Sequence, residues 1–287
     1  MYVIKTLLLV TLLTTNLGES EGVYREFLDY ETVSSGVVSG AQAKLWEREQ
    51  LAGNHYRVMQ AASGAETYLR FVEADAGDIE ELASGWTAME LLVQDVNALA
   101  DALNDSPFEI LYPPAWISDK ENVKAMQATG PAGELVYFSQ VVKPETMTLT
   151  PVQARSRVDR PFMMVTGSTD LAGALDFYSG ELGMRVVGPF PYRIAVLADR
   201  LLLPADTMFE LAMVSVTPEF ALEVDHYPAG SKPSTASPIL SISLLVEVGE
   251  RSAGQALSDF PYAGQPVQLL RGRGGERIEL VVDSTAD

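Results

Sequence analysis

Short alternating segments follow four turns along the chain, each turn marked by glycine or proline. The segments are residues 67–71, 135–139, 221–225 and 277–280. One parity of each segment is apolar: Leu69 and Phe71, Val136 and Phe138, Leu222 and Val224, Ile278 and Leu280. Alternation of period two predicts half-buried β-strands whose apolar side packs on helices. The other parity is therefore expected to face the concave side of a sheet.

This recurring pattern of a turn followed by an alternating segment divides the chain into four repeated units. They run from residue 1 to about 75, from about 85 to 143, from about 160 to 227, and from 236 to the end, separated by polar or proline-rich joints. Each unit has the pattern of a strand, a helix and two or three further strands. In the opening strands of the second and fourth units, the alternation of apolar and other residues shows which side chains share a face. Met89, Leu91, Val93, Leu240, Ile242, Leu244 and Val246 are predicted to face helices, and Ala88, Glu90, Leu92, Ser241, Ser243 and Leu245 the cavity.

Composition narrows the class of protein. The 287 residues suffice for two domains, and 47% hydrophobic residues indicate an ordered globular chain. A formal net charge of -19 argues against a nucleic-acid partner, because phosphate binding needs a basic surface. The chain has no cysteine, which excludes disulfides and thiolate chemistry.

The apolar N-terminal run has two interpretations. Residues 7–13 follow a single lysine and resemble a weak signal peptide, but the run is too short to span a membrane and lacks a typical cleavage site. Its place at the head of the first unit favours a buried β-strand. The sequence therefore predicts a cytoplasmic protein with no membrane partner.

The segment 169–183 carries the clearest family signal. Asp170-Leu171 opens a short helix, Phe177-Tyr178 lies near its end, and Gly183 stands where the helix must stop. Asn16-Leu17 repeats this pattern upstream. The unit resembles the module of the vicinal oxygen chelate superfamily, which includes glyoxalases, bleomycin-resistance proteins and extradiol dioxygenases. The resemblance implies an α+β fold of four βαβββ modules in two open-barrel halves, residues 1–145 and 158–287, each with a cup-shaped site.

The resemblance also locates the positions where metal-dependent members place their ligands. On the final strands these positions hold Tyr68, Tyr137, Glu223 and Glu279, and on the opening strands Ala88, Met163 and Ser241. First-row metals favour imidazole with carboxylate. The only histidines, His55 and His226, stand at none of these positions. We therefore expect no metal or other cofactor, with an oxygen-only site of Glu223 and Glu279 as the remaining alternative.

Pairing of the first two modules would bring one polar group together. Tyr68, Arg70, Glu90 and Tyr137 form the predicted catalytic set, with Ser139 beside them. The arginine would anchor a substrate oxygen, a tyrosine would donate to an oxyanion, and Glu90 would act as base. The structural alternative is a buried Arg70–Glu90 ion pair between core tyrosines.

The C-terminal half offers a corresponding acidic set. It comprises Glu223, Asp225, Ser241, Ser243 and Glu279. Clustered carboxylates repel, so one of them would hold a proton and serve as an acid. The favoured alternative is a shallow, solvated cup in which these acids are ordinary surface groups.

Aromatic residues predict the character of the ligand. Trp46, Trp86, Trp116 and Tyr112 are expected to line a mouth, with Leu92 in the cavity and residues 112–116 as a rigid proline-rich loop above it. These features indicate a small hydrophobic or aromatic ligand.

Three functions follow from these expectations. The first is a metal-independent enzyme of isomerase, lyase or hydratase type, acting on a small hydrophobic oxygenated compound. The second is a resistance-type protein that sequesters a small molecule. The third is a metal-dependent lyase or dioxygenase using Glu223 and Glu279. A monomer or a homodimer is compatible with all three.

Overall fold

A computed structural model describes residues 2–82, 85–147, 149–231, 233–248 and 254–283. The first module comprises β1 (Tyr2–Thr14), α1 (Leu17–Leu28), β2 (Tyr30–Val37), α2 (Gly40–Leu45), β3 (His55–Ala61) and β4 (Tyr68–Glu73), followed by α3 (Ala76–Glu80). The second comprises β5 (Trp86–Val93), α4 (Val96–Leu103), β6 (Glu109–Trp116), β7 (Val123–Thr129) and β8 (Leu135–Val141). The predicted N-terminal strand is confirmed as β1.

The third module repeats the first closely, and the fourth is shorter in its described part. The third comprises β9 (Val158–Ser168), α5 (Leu171–Asp176), a π-helical turn (Phe177–Glu181), β10 (Arg185–Arg193), α6 (Ala195–Arg200), β11 (Met208–Thr217) and β12 (Phe220–His226). The fourth comprises β13 (Ile239–Val248), β14 (Gln255–Ala256), β15 (Pro266–Arg271) and β16 (Arg277–Val282). Single 3-10 turns occur at Glu49–Leu51 and Pro144–Thr146.

The modules form two eight-stranded sheets, but not in the predicted pairs. One sheet has the order β14-β15-β16-β13-β1-β4-β3-β2 and the other β10-β11-β12-β9-β5-β8-β7-β6. The first module thus pairs with the fourth, and the second with the third, through antiparallel opening strands. The division at residues 145–158 therefore does not separate the sheets. Side-chain alternation sets the face of a strand, but it does not choose which other opening strand becomes its neighbour.

We name the concave face of the first sheet the terminal cup and that of the second the central cup. The convex faces share one apolar core, which contains most residues predicted to face helices, including Leu69, Phe71, Met89, Leu91, Val136, Phe138, Leu222, Val224, Ile278 and Leu280. Leu240 is an exception and packs in the terminal cup, where a register shift interrupts the β1–β13 pairing. The predicted α+β fold of two open-barrel halves is confirmed.

Local signals explain where the module helices begin and end. The side chains of Asn16, Asp95 and Asp170 each accept a backbone N–H at the start of α1, α4 and α5. Gly183 has φ +69, as expected for a residue that ends a helix in the left-handed region. No described helix combines the length and apolar character that crossing a membrane requires.

Two buried tyrosine–glutamate bonds connect the sheets. Tyr24 of α1 donates to Glu134 in the turn before β8 (2.7 Å), and Tyr178 donates to Glu276 in the turn before β16 (2.6 Å). Each bond joins a helix of one sheet to a turn of the other. Burial raises the pKa of both carboxyl groups, that of Glu134 to about 7.

Candidate functional site

The structure separates the four predicted catalytic residues. Tyr68 and Arg70 lie on β4 in the terminal cup, whereas Glu90 and Tyr137 lie on β5 and β8 in the central cup. The expected shared surface and the alternative Arg70–Glu90 ion pair are both wrong, because the pairing of modules places these residues on different sheets. Glu90, Tyr137 and Ser139 do share one surface, as their parity predicts: Glu90 stands opposite Tyr137, and Ser139 bonds to Glu90.

The terminal cup is organised around one fully buried carboxylate, that of Glu279. It accepts hydrogen bonds from Trp46 Nε1 (2.5 Å) and from the hydroxyls of Ser241 (2.9 Å), Ser243 (2.7 Å) and Tyr262 (2.5 Å). Four donors occupy both oxygens. This carboxylate therefore serves to hold β13, the α2 segment and the loop before β15 together.

Arg70 completes the filling of the terminal cup. Its guanidinium donates to the carbonyl of Phe260 (2.7 Å) and to the Tyr262 hydroxyl (3.3 Å). It also lies 5.0 to 5.8 Å from the ring centroids of Tyr262, Tyr56 and Trp46. Tyr68 packs edge-on against Phe260. These groups are engaged with one another, so this cup is a polar core.

The central cup contains a carboxyl group with far fewer donors. Glu90 accepts one hydrogen bond, from the Ser139 hydroxyl (2.9 Å). Desolvation raises the pKa of Glu90 to about 8, the charge of Glu223 contributes further, and the Ser139 bond partly offsets both. At neutral pH, Glu90 is therefore mainly protonated and titrates just above neutrality.

A pair of carboxyl groups faces Glu90 from β12. Glu223 and Asp225 are two residues apart on one face of this strand and hydrogen-bond to each other. Burial and mutual repulsion hold the pKa of Glu223 well above its ordinary value, and burial raises that of Asp225 to about 7. The pair shares a proton at neutral pH. The favoured expectation that these acids are solvated surface groups is wrong, since Asp225 is only 3% exposed.

Two tyrosines complete this acidic group. Burial raises the pKa of Tyr137, and the charges of Glu223, Asp225 and Glu90 raise it further. Its hydroxyl makes no hydrogen bond to another described residue, so the phenol is available as a donor. Burial, Glu223 and Glu90 likewise raise the pKa of Tyr192 on β10.

Helix α6 and two hydrogen bonds close the central cup. Val196, Leu197 and Ala198 of α6 pack on Ala88 and Leu135 across the cup. Tyr112 of the edge strand β6 donates to Asp199 of α6, and Tyr192 of the opposite edge strand β10 donates to the carbonyl of Ile117, just after β6. In this closed arrangement the cavity beside Tyr137 and Asp225 has about 10 Å³, space for a single water.

The predicted aromatic mouth does not form. Trp46 lies in the terminal cup, Trp86 is buried between the sheets with its Nε1 donating to the backbone carbonyl of Arg277, and Trp116 is exposed at an edge strand. Residues 112–116 belong to β6 instead of a loop. Leu92 lines the central cup as predicted.

The residues at the family's ligand positions do not fit a first-row metal. The central cup presents Tyr137, Glu223, Ala88 and Met163 there, and the terminal cup Tyr68, Glu279 and Ser241. Glu223 and Glu279 lie on different sheets, so the alternative two-glutamate site is wrong. Across the described part of the chain, no three or more His, Cys, Asp or Glu side chains are grouped to hold an ion. Both cups lack the imidazole that such metals favour.

Several residues of the central cup were missed by the sequence reasoning. Burial raises the pKa values of Tyr192 and Tyr227, which lie close enough to the acidic groups for those charges to raise them further. Arg200 lines the small cavity together with Tyr227 and Asp225. The three missed residues, Tyr192, Arg200 and Tyr227, belong to the third module and its following loop. Only the pairing of this module with the second places them beside Glu90, and no local pattern in the sequence indicates that pairing.

Comparisons with known proteins show which solved structures share this fold. No protein-family model matches the sequence, and no curated protein matches it. Among solved structures, a variant of glyoxalase I from Zea mays superposes with a TM-score of 0.66 at 12% identity, covering 98% of this chain and 94% of its own. Glyoxalase I itself from Zea mays gives 0.63 at 13% identity, covering 96% and 92%. A proposed dioxygenase from Bacillus subtilis gives 0.61 at 12%, covering 98% and 86%.

These matches confirm the predicted resemblance at the level of fold. The chain has the same double-length, four-module fold as glyoxalase I from Zea mays. Because the sequence identities are only 12–13%, the reactions and substrates of these proteins cannot be assigned to this chain.

Proposed function

We propose that this protein is a metal-independent enzyme that moves a proton within a small hydrophobic carbonyl compound bound in the central cup. One observation supports this assignment above all. Three carboxyl groups, Glu90, Glu223 and Asp225, have raised pKa values around the Tyr137 phenol, in a cup whose remaining walls are mostly apolar. Groups poised to exchange protons near neutral pH are what general acid–base catalysis needs.

The roles follow from protonation state and position. Ionised Glu90 takes a proton from the carbon next to the substrate carbonyl, forming a C=C bond as the C=O π electrons move to oxygen. The Tyr137 hydroxyl donates to that oxygen while its charge develops. The Glu223–Asp225 pair protonates the oxygen to give the enol. It takes this proton back as Glu90 returns its proton to carbon, so that the C=O bond re-forms and both acidic groups recover their starting states. Return of the proton to the opposite face of the carbon, or to a conjugated carbon, is an isomerisation. Entry of substrate requires α6 to move aside, because the closed cup has space for one water.

Solvent exchange tests this function with simple carbonyl compounds as probes. Cyclohexanone, phenylacetaldehyde and phenylpyruvate are incubated with protein in D2O containing chelator, and deuterium incorporation is followed by NMR. We expect catalysed exchange of at least one probe, abolished in Glu90→Gln and lowered about 100-fold in Tyr137→Phe. Glu31→Gln, the same change at an exposed residue, is the matched control.

Three other outcomes would contradict the assignment. Exchange that is seen only when the chelator is left out would indicate a metal-dependent reaction. Saturable binding without exchange, unchanged in Glu90→Gln, would favour the sequestering protein. Wild-type activity in Glu90→Gln would remove the proposed base.

A further inference from the structure

A larger cavity lies outside the central cup, where the two sheets meet. It has a volume of about 340 Å³ and is lined by the start of β5, the end of β9, the end of α6, the loop after β12 and the turn before β16. We name it the junction pocket. Thr87, Arg200, Tyr227 and Pro233 line both this pocket and the small cavity of the central cup. The pocket therefore lies against the acidic cup but does not contain its carboxyl groups.

The lining of the junction pocket contrasts with the charge of the whole chain. The protein carries a formal net charge of -19, yet no aspartate or glutamate is among the described residues that line the pocket. The lining includes Arg200, Arg273 and the hydroxyls of Ser231, Thr235 and Ser237. A cationic, donor-rich pocket in an acidic protein favours an anion.

Two lining side chains have unused donors. The Arg200 guanidinium is half-buried, has no carboxylate partner among the described residues, and donates only to the carbonyl of Thr87 (3.3 Å). The Tyr227 residue is 5% exposed, and its hydroxyl has no partner in hydrogen-bonding geometry among the described residues. The nearby Thr87 hydroxyl donates to the Val165 carbonyl (3.2 Å) and influences the pKa of Tyr227. A buried donor without a partner is costly, so a ligand that satisfies it is stabilised.

The pocket is held in place by backbone contacts. The carbonyl of Arg200 accepts a hydrogen bond from the amide of Ser234 (2.7 Å), which fastens the loop after β12 to α6. Gly167 and Gly274 approach so closely that a side-chain carbon on Gly274 would lie 2.4 Å from the Gly167 carbonyl. Trp86, Leu82 and Pro233 supply apolar walls.

We propose that the junction pocket binds a small organic anion, a carboxylate on an apolar body, with its oxygens on Arg200 and Tyr227. The planar guanidinium matches the two oxygens of a carboxylate, and the apolar walls accommodate the remainder. Arg273 at the rim pairs only loosely with Glu181 (3.9 Å) and adds positive charge at the entrance. The site shares Arg200 and Tyr227 with the border of the central cup, but its proposed ligand is distinct from the substrate proposed for that cup.

Calorimetric titration with benzoate tests the proposal, with benzyl alcohol and inorganic phosphate as comparison probes. We expect saturable benzoate binding that is at least tenfold weaker in Arg200→Met and about fivefold weaker in Tyr227→Phe, the loss of one hydrogen bond. Arg185→Met, the same change at an exposed arginine of β10, is expected to bind like wild type. Arg200→Lys keeps the charge without the planar fork and should bind at intermediate strength.

The comparison probes make the assignment falsifiable. Benzyl alcohol binding as tightly as benzoate would overturn the anion requirement, and phosphate binding equally well would overturn the role of the apolar walls. Equal loss in Arg200→Met and Arg185→Met would show a general charge effect. If Arg200→Met does not fold, undiminished binding in Arg200→Lys and Tyr227→Phe together would refute the site.

Discussion

The terminal and central cups are built by equivalent strands, yet they treat buried carboxyl groups in opposite ways. In the terminal cup, Glu279 has four hydrogen-bond donors and shares its cup with the Arg70 guanidinium. In the central cup, Glu90 has one donor, while Glu223 and Asp225 bond to each other. One scaffold therefore holds one carboxylate with four hydrogen-bond donors and three carboxyl groups whose pKa values are raised.

This difference separates a structural role from a chemical one. A carboxylate whose two oxygens already accept four hydrogen bonds has no lone pair free to bind a substrate. A buried carboxyl group with few hydrogen-bond donors has a raised pKa and exchanges its proton near neutral pH. The short helices that cover the two cups, α2 and α6, differ in the same way. The α2 segment contributes Trp46 as a donor to Glu279, whereas α6 contributes mainly apolar cover and Arg200 at its end. These differences support the proposal that the chemistry takes place in the central cup.

The largest expected effect is on the terminal cup. Glu279→Gln replaces one acceptor oxygen by an NH2 group that faces existing donors, and it removes the negative charge from the cup that contains the Arg70 guanidinium. We expect the free energy of unfolding to fall by about 3 kcal/mol. Urea titration followed by tryptophan fluorescence measures this change. A loss no larger than that of the exposed control Glu31→Gln would show that the four bonds contribute little.

The same substitution in the central cup is expected to act in the opposite direction. Glu90→Gln removes a group whose ionisation the folded state opposes, so at pH 9 it should raise the free energy of unfolding by about 2 kcal/mol. Near pH 5 the difference should shrink towards zero, because Glu90 is then protonated in the folded state. Urea titrations at both pH values check the result. Destabilisation at pH 9 would mean that the ionised carboxylate is well solvated.

The pH dependence of the wild-type protein follows from the same groups. Glu90, Asp225 and Glu134 have folded-state pKa values of about 8, 7 and 7, raised above their ordinary values of 4.5, 3.8 and 4.5. The folded state binds these protons more tightly than the unfolded state does. The stability that they contribute is therefore fully present at pH values below the ordinary pKa values, and it is lost as the pH rises through the folded-state pKa values. We expect the urea midpoint to decline from pH 5 to pH 9. A midpoint that rises over this range would contradict the raised values.

Much of the fold could be predicted from the sequence because its signals are local. Alternation placed Glu90, Tyr137 and Ser139 on one concave face, and Asn16, Asp170 and Gly183 marked helix ends correctly. These features depend on neighbouring residues alone. The β1 strand was recognised in the same way, from the length of one apolar run.

The partners of each module could not be predicted, since partner choice depends on contacts between distant segments. All opening strands are apolar, so pattern alone does not distinguish β1–β13 pairing from pairing within one half of the chain. That error placed Tyr68 and Arg70 beside Glu90 and left Asp225 and Arg200 out of the site. Leu240 was misplaced for a smaller reason, a register shift that alternation does not reveal.

The smallest predicted effect compares the two links between the sheets. Tyr24→Phe and Tyr178→Phe each remove one hydrogen bond, to Glu134 and Glu276 respectively, while keeping the buried ring. We expect each change to lower the free energy of unfolding by about 1 kcal/mol, and the two effects to be alike because the links are related by the repeat. Urea titration near pH 5 measures both. A marked inequality would show that the sheets are held together mainly at one end, and the double variant would then lose no more than the worse single one.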